Sequence, residues 1–306
     1  MRHLVSLFDL TPDDVVEILD LATHLKARLA NGERPPMFQN HVVAQVFEKP
    51  SLRTRNSFEV AMVHLGGSGI FLTVKEAGLD GRESLPDVAK VLSSYSDIIT
   101  MRTFSHQLIE DFTAHSACPV INALSDERHP CQALTDLLTI RESLGELKGR
   151  TVAFIGDGNN VAASLAIAAG LTGMKLNVGG PAGYQLPDEF VSDLRGRFPK
   201  VEIEQTDDPV KAVSTADVVY TDVWASMGQE AESTKRQQAF ADYCVNSDLM
   251  SKAPDGCRFM HDLPAKRGLE VTDEVMDGEN SIVFQQAENR MHLAKGLFVW
   301  LLNKKS

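Results

Sequence analysis

The stretch Phe47-Glu48-Lys49-Pro50-Ser51-Leu52-Arg53-Thr54-Arg55 sets two arginines, a lysine and two hydroxyls between an apolar run and an amphipathic one. Val42, Val43, Val46 and Phe47 read as a buried strand. Phe58, Met62 and Leu65 recur at helical spacing, and Gly66-Gly67 marks the stop. The hydroxyls and guanidinium groups therefore fall at a strand end and a helix start. Unpaired backbone N–H groups and the helix dipole favour an anion there. Two arginines at the positive end of a helix oppose that dipole, so they call for a compensating charge. Their planar forks suit phosphate oxygens. The chemistry this segment predicts is that of a phosphate cradle.

Further polar clusters follow apolar runs. Arg102 follows Asp97-Ile98-Ile99-Thr100-Met101, where an ordinary surface arginine is the plain alternative. Arg290, in Ala287-Glu288-Asn289-Arg290, is expected at the start of the last helix, again the wrong end for a cation. His129-Pro130-Cys131-Gln132 invites a metal reading, but no second local cluster has ligand spacing, so no metal is expected. His129 and Gln132 suit a carbonyl oxygen and an amino group, and Cys131 suits core packing. Gly156-Asp157-Gly158-Asn159-Asn160-Val161 approaches the dinucleotide fingerprint, with valine where its third glycine belongs. The two asparagines suit a carboxylate instead. Asp222-Val223-Trp224-Ala225-Ser226-Met227-Gly228 offers a carboxylate and a hydroxyl to an ammonium group. A strand-end acid with a buried tryptophan is the plain alternative. His261-Asp262-Leu263-Pro264 closes the set, or is an ordinary turn.

Alternating elements must position these groups. Thr11-Pro12-Asp13-Asp14 starts a helix whose apolar stripe runs through Val15, Ile18, Leu19, Ala22, Leu25 and Leu29. After the arginine segment come a strand at 70–72, a helix capped by Ser84, strands at 97–101 and 119–121, and a helix over 130–144. Gly145 to Gly149 reads as a hinge. Beyond it, strands are predicted at 151–155, 175–178, 201–204, 217–221, 258–260 and 282–284. Helices are predicted at 160–170, 187–197, 236–243 and 288–303. Such alternation implies an α/β protein with parallel sheets covered on both faces, whose ligands bind outside the carboxyl ends of the strands. The polar clusters fall at those ends.

A chain of 306 residues is long enough for two domains. No run of about 18 apolar residues occurs, so no membrane span is expected, and Met1-Arg2-His3-Leu4 does not open a signal peptide. Four cysteines (Cys118, Cys131, Cys244, Cys257), widely spaced, point to a reduced, cytoplasmic setting. A formal net charge of −12 argues against nucleic acid as a partner, while a local group of arginines can still attract a small anion.

With these residues in view, the chain resembles the aspartate/ornithine carbamoyltransferase family, and among its members the ornithine enzymes. The resemblance rests on Ser-x-Arg-Thr-Arg, His-Pro-x-Gln, Asp-x-Trp-x-Ser-Met-Gly, His-x-Leu-Pro and Ala-Glu-Asn-Arg, in the same order along the whole chain. It implies two doubly wound parallel-sheet domains joined by helices, the C-terminal helix returning to the first domain. Residues 1–144 with about 286–306 would bind carbamoyl phosphate, and 145–285 would bind ornithine. By resemblance, Ser51, Leu52, Arg53, Thr54, Arg102, His129, Gln132, Asp262, Leu263 and Arg290 hold carbamoyl phosphate. Asn160, Asp222, Ser226 and Met227 hold L-ornithine, and Arg102, His129 and Asp262 are catalytic. It further implies citrulline and phosphate as products, a role in arginine biosynthesis or catabolism, no cofactor, and a homotrimer or a multiple of trimers. Two positions depart from the family pattern. Leu52 replaces a threonine, which matters little if only its backbone N–H is used. Asp262 replaces the cysteine usual in ornithine enzymes, which leaves the amine and the proton acceptor open.

The alternatives are a carbamoyltransferase for putrescine, lysine or an N-acylated ornithine, a dinucleotide-binding oxidoreductase, and a non-catalytic paralogue. The polar stretch from Gln229 to Gln238 is expected to close over a bound amino acid.

Overall fold

The computed structural model describes residues 1–225 and 230–303. The chain divides into two compact units, 1–138 with 288–306, and 139–287.

The first unit opens with α1 (Pro12–Ala30), capped by Thr11, whose side chain accepts from the Asp14 N–H while Asp14 returns the bond. It continues through β1 (Val42–Phe47), α2 (Leu52–His64), β2 (Ser68–Thr73), α3 (Leu85–Tyr95), β3 (Ile98–Arg102), α4 (His106–Thr113) and β4 (Val120–Leu124). The strands form a parallel sheet in the order β2-β1-β3-β4. Ala44, Val46, Ile99, Met101 and Val120 pack on Val88, Ala89 and Leu92 of α3 and Ile109 and Phe112 of α4. The chain runs outward from β1 to β2, then crosses back to β3. The crevice between the carboxyl ends of β1 and β3 is therefore the topological switch point, the usual ligand position in such sheets.

The helix α5 (Pro130–Leu144) leads to the second unit. There β5 (Thr151–Ile155), α6 (Asn160–Thr172), β6 (Lys175–Gly179), α7 (Asp188–Arg197), β7 (Glu202–Thr206), α8 (Pro209–Val213), β8 (Val218–Thr221), α9 (Ser233–Ala239), α10 (Ser247–Met250), β9 (Arg258–His261) and α11 (Asp273–Met276) follow. Their sheet is parallel, in the order β7-β6-β5-β8-β9. Its switch point lies between β5 and β8. Ala153, Ile155 and Val219 pack there with Phe240, Tyr243 and Phe259. Both sheets are thus doubly wound, and α12 (Val283–Asn303) carries the chain back into the first unit.

Two sequence expectations are corrected. The run 282–284 is not a strand. Phe259 bridges Ser281, and the Ile282 N–H donates to the Phe259 carbonyl, after which the Gln286 N–H closes a turn on Ile282. Phe284 is 63% exposed, so the apolar run has no second buried face. As a result α12 starts at Val283, and Arg290 lies two turns inside it rather than at its positive end. Ser226 and Met227 fall outside the described residues. No helix among the described residues is long and apolar enough to cross a membrane.

Candidate active site

The first switch point collects the arginine segment. Ser51 caps α2, its side chain accepting from the Thr54 N–H at 3.2 Å. Leu52 is exposed, and Arg53 is half-buried in the first turn. Thr54 is 2% exposed, and its hydroxyl oxygen accepts from Arg290 at 2.8 Å and from Arg102 at 3.5 Å. Arg102, expected just past a strand, is the last residue of β3, and Phe47 pairs with it across the sheet. Arg290 also donates to the Gln132 side-chain carbonyl, and the Gln132 amide donates to Asp136 at 2.8 Å. His129 is buried at the start of α5. Burial first, then the charges of Arg290 and Arg102, holds its imidazole well below the usual histidine range. It is a neutral imidazole beside two buried guanidinium groups. Such a cluster is a strong attractor for an oxyanion.

Asp136 did not stand out in the sequence, although it lies one turn beyond Gln132 on a helix that was read correctly. It is fully buried, and its bond fixes which end of the Gln132 amide faces Arg290. Cys131 is a packing residue. Its thiol faces the Asn122 carbonyl at 3.4 Å, and burial pushes it up to about 12, far from the thiolate a metal would need.

The second switch point holds the asparagines and Asp222. Gly156 has φ +140, open only to glycine. A Cβ on Gly158 would stand 2.5 Å from the Gln185 backbone. Backbone geometry therefore accounts for both glycines of the near-fingerprint. Asn159 caps α6 through bonds from the Val161 and Ala162 N–H groups, and its amide donates to Asp222 at 2.8 Å. The sequence singled out its neighbour Asn160, which is the first residue of α6 and half-buried. Asp157 pairs with the buried Arg236 at 2.8 Å, and Arg236 also donates to the Trp224 carbonyl at 3.0 Å. That link, unseen in the sequence, ties α9 to the strand-end loop.

Thr221 pairs with His261 across β8 and β9, which brings Asp222 beside Asp262. Ligand-capable atoms of Asp222, His261 and Asp262 lie within 4.8 Å of one another. As a metal centre the group fits poorly. His261 Nδ1 accepts from the Leu263 N–H at 2.9 Å, and Nε2 faces Glu270 at 3.3 Å, so both ring nitrogens are engaged. Two carboxylates this close favour a cation between them, and an ammonium group meets that need. Leu263 stands at φ +61, a strained conformation for a branched side chain.

A cationic oxyanion cradle and an acid–amide cluster, each at the switch point of its own parallel sheet, define a two-substrate transferase architecture. The chain belongs to the aspartate/ornithine carbamoyltransferase family. Residues 2–142 match its carbamoyl-P binding domain, and residues 148–301 match its Asp/Orn binding domain. The ornithine carbamoyltransferase of Carboxydothermus hydrogenoformans is 48% identical over 304 residues, covering 98% of this chain and 97% of the relative. That of Bacillus subtilis is 47% identical, covering 99% and 94%. The structure of ornithine carbamoyltransferase from Pyrococcus furiosus superposes with a TM-score of 0.96 at 44% identity, covering 100% of this chain and 98% of that one.

Proposed function

We propose that this protein transfers the carbamoyl group of carbamoyl phosphate to the δ-amine of L-ornithine, giving L-citrulline and phosphate. The observation that carries the reading is the Thr54 hydroxyl, on which Arg102 and Arg290 converge beside a neutral His129. Ser51, Leu52, Arg53 and Thr54 offer backbone N–H groups and side chains to the phosphate at the start of α2. Arg102, Arg290 and His129 stabilise the charge that grows on the carbonyl oxygen and on the leaving phosphate. Charge-assisted bonds contribute about 1.5–3 kcal/mol each. Gln132 holds the carbamoyl amino group, together with Leu263 and Asp262. Asn160 meets the ornithine carboxylate, while Asp222, Ser226 and Met227 meet its α-amino end.

The attacking amine must be neutral. With an intrinsic pKa near that of lysine, about one molecule in a thousand is neutral near pH 7.4, equivalent to roughly 4 kcal/mol. Asp262 takes the proton as general base. No metal or organic cofactor is required by this chemistry.

A homotrimer, or a multiple of one, goes with this reading. Leu52, Val60 and Val63 line one exposed stripe of α2, and Ile70 is exposed on the edge strand β2. Such a patch calls for a protein partner. A reduced, cytoplasmic setting is proposed with it, since all four cysteines are free thiols.

The test is a panel of amines with carbamoyl phosphate, read by phosphate release. L-Ornithine should be used fastest. Putrescine lacks the carboxylate that Asn160 would bind, and N-acylated ornithine lacks the ammonium group that Asp222 would bind. A faster rate with either, or with lysine, would overturn the amine assignment. Silence across the panel would overturn the enzymatic one. Asp262→Cys should remain active with a shifted pH–rate profile.

A further inference from the structure

We propose that the buried pair His261–Glu270 positions the turn carrying Asp262 and Leu263, and that it does so by fixing the tautomer of His261. The inference deepens the carbamoyl-transfer reading and rests on it.

The geometry leaves His261 little freedom. It is fully buried at the end of β9, and its own N–H donates to Gln286 at 3.0 Å. The Leu263 N–H can only donate, so Nδ1 must present a lone pair at 2.9 Å. The ring proton is then on Nε2, facing the Glu270 carboxylate at 3.3 Å. The same Glu270 oxygen accepts from the Lys266 N–H. Two backbone N–H groups of one turn, at Leu263 and Lys266, are thereby held by one buried acid and one buried ring. Glu270 is 1% exposed, and its other carboxylate oxygen has no hydrogen-bond partner among the described residues. An acid buried at this cost is retained for what it orients.

The turn needs such holding. Leu263 at φ +61 is held in a left-handed conformation, which persists only where surrounding contacts over-determine it. Releasing the Leu263 N–H lets the residue relax toward ordinary φ and carries Asp262 away from Asp222. Displacement of a reacting group by about 1 Å lowers a rate by about 10²-fold. Glu270 and His261 are positioning residues in this account. The groups that meet substrate are Asp262 and Leu263.

The test compares His261→Asn, His261→Gln and Glu270→Ala with the wild-type enzyme. Asparagine keeps an acceptor near the place of Nδ1, whereas glutamine reaches toward Glu270 and gives up the bond to Leu263. The expected result is a kcat per folded molecule lowered about 10- to 100-fold in His261→Gln and Glu270→Ala. His261→Asn should retain a clearly larger share. Binding of inorganic phosphate, measured by calorimetry, should be unchanged in all three, because the arginine cradle is untouched. Equal kcat in the Asn and Gln variants, or kcat per folded molecule equal to wild type, would overturn the proposal. In the wild-type protein, nitrogen-15 NMR of the histidines should show His261 protonated on Nε2 alone. A proton on Nδ1 overturns the proposal without need of any variant that folds. A wild-type enzyme that forms no citrulline would instead overturn the carbamoyl-transfer reading, leaving the NMR result to stand separately.

Discussion

Thr54 shows how much one hydroxyl can organise. Its oxygen receives two guanidinium groups from residues 48 and 236 positions away in sequence. Thr54→Val keeps the shape and removes the acceptor. A hydrogen bond to a charged group contributes about 1.5–3 kcal/mol, so affinity for carbamoyl phosphate should fall about 10- to 100-fold. The KM for ornithine should hardly move. Calorimetry on the variant checks this, and wild-type affinity would mean that the arginines are placed by other contacts. At this scale the sequence was informative about residue type and weaker about partners. Arg53 and Arg290 stand out by charge at the unfavourable end of a predicted helix, and Arg102 by its place after an apolar strand. The reason given for Arg290 was wrong, because the helix begins earlier than its polar residues suggest. Asp136 and Glu270 escape a reading by spacing because their work is done on other side chains, and a contact between distant residues leaves no local signal. Asn159, read with Asn160 as suited to a carboxylate, caps α6 and donates to the Asp222 side chain.

Among the elements, long periodic segments were legible and short ones were not. The helix over 130–144 and the strands of both sheets follow from apolar spacing and flanking polar residues. The helices α4, α8, α10 and α11 went unread. They span eight residues or fewer, and α4, α8 and α10 owe their starts to single caps, Ser105, Asp208 and Asn246. One or two buried side chains per helix make no periodic signal. The helix α2 serves two purposes on opposite faces. Thr54, Phe58 and Met62 are buried, while Leu52, Val60 and Val63 are open. If the open stripe seats a second copy of the chain, Val63→Glu places a charge in an apolar interface. Light scattering should then show a mass near 33.6 kDa in place of about three times that value. An unchanged mass would remove this face of α2 from the assembly.

On the scale of the molecule, burial of histidine makes stability fall in acid. His3, His64, His106, His129 and His292 are all held below the ordinary histidine value, with burial the leading cause in each. For His292 the value is pushed down to about 4. In the unfolded chain these rings take up protons as pH falls through about 6.5, while the folded protein still excludes them. The stability they permit is therefore complete above about pH 6.5 and is lost progressively below it. A fully buried neutral ring adds up to about 1.4 kcal/mol per pH unit to that loss. Calorimetric Tm should accordingly drop by several degrees between pH 7 and pH 5, and a flat profile would contradict the assignment.

The path of the chain has one more implication, for biogenesis. The first unit is assembled from residues at both ends of the described chain, since α12 joins it only after the whole of the second unit has been threaded. On the ribosome, residues 139–287 emerge with everything their own sheet requires. Residues 1–138 carry all of their own sheet but lack α12, and with it Arg290, until residues 288–303 have been made. A chaperone that recognises exposed apolar surface would find a longer opportunity on residues 1–138, whose partner helix is made after the second unit.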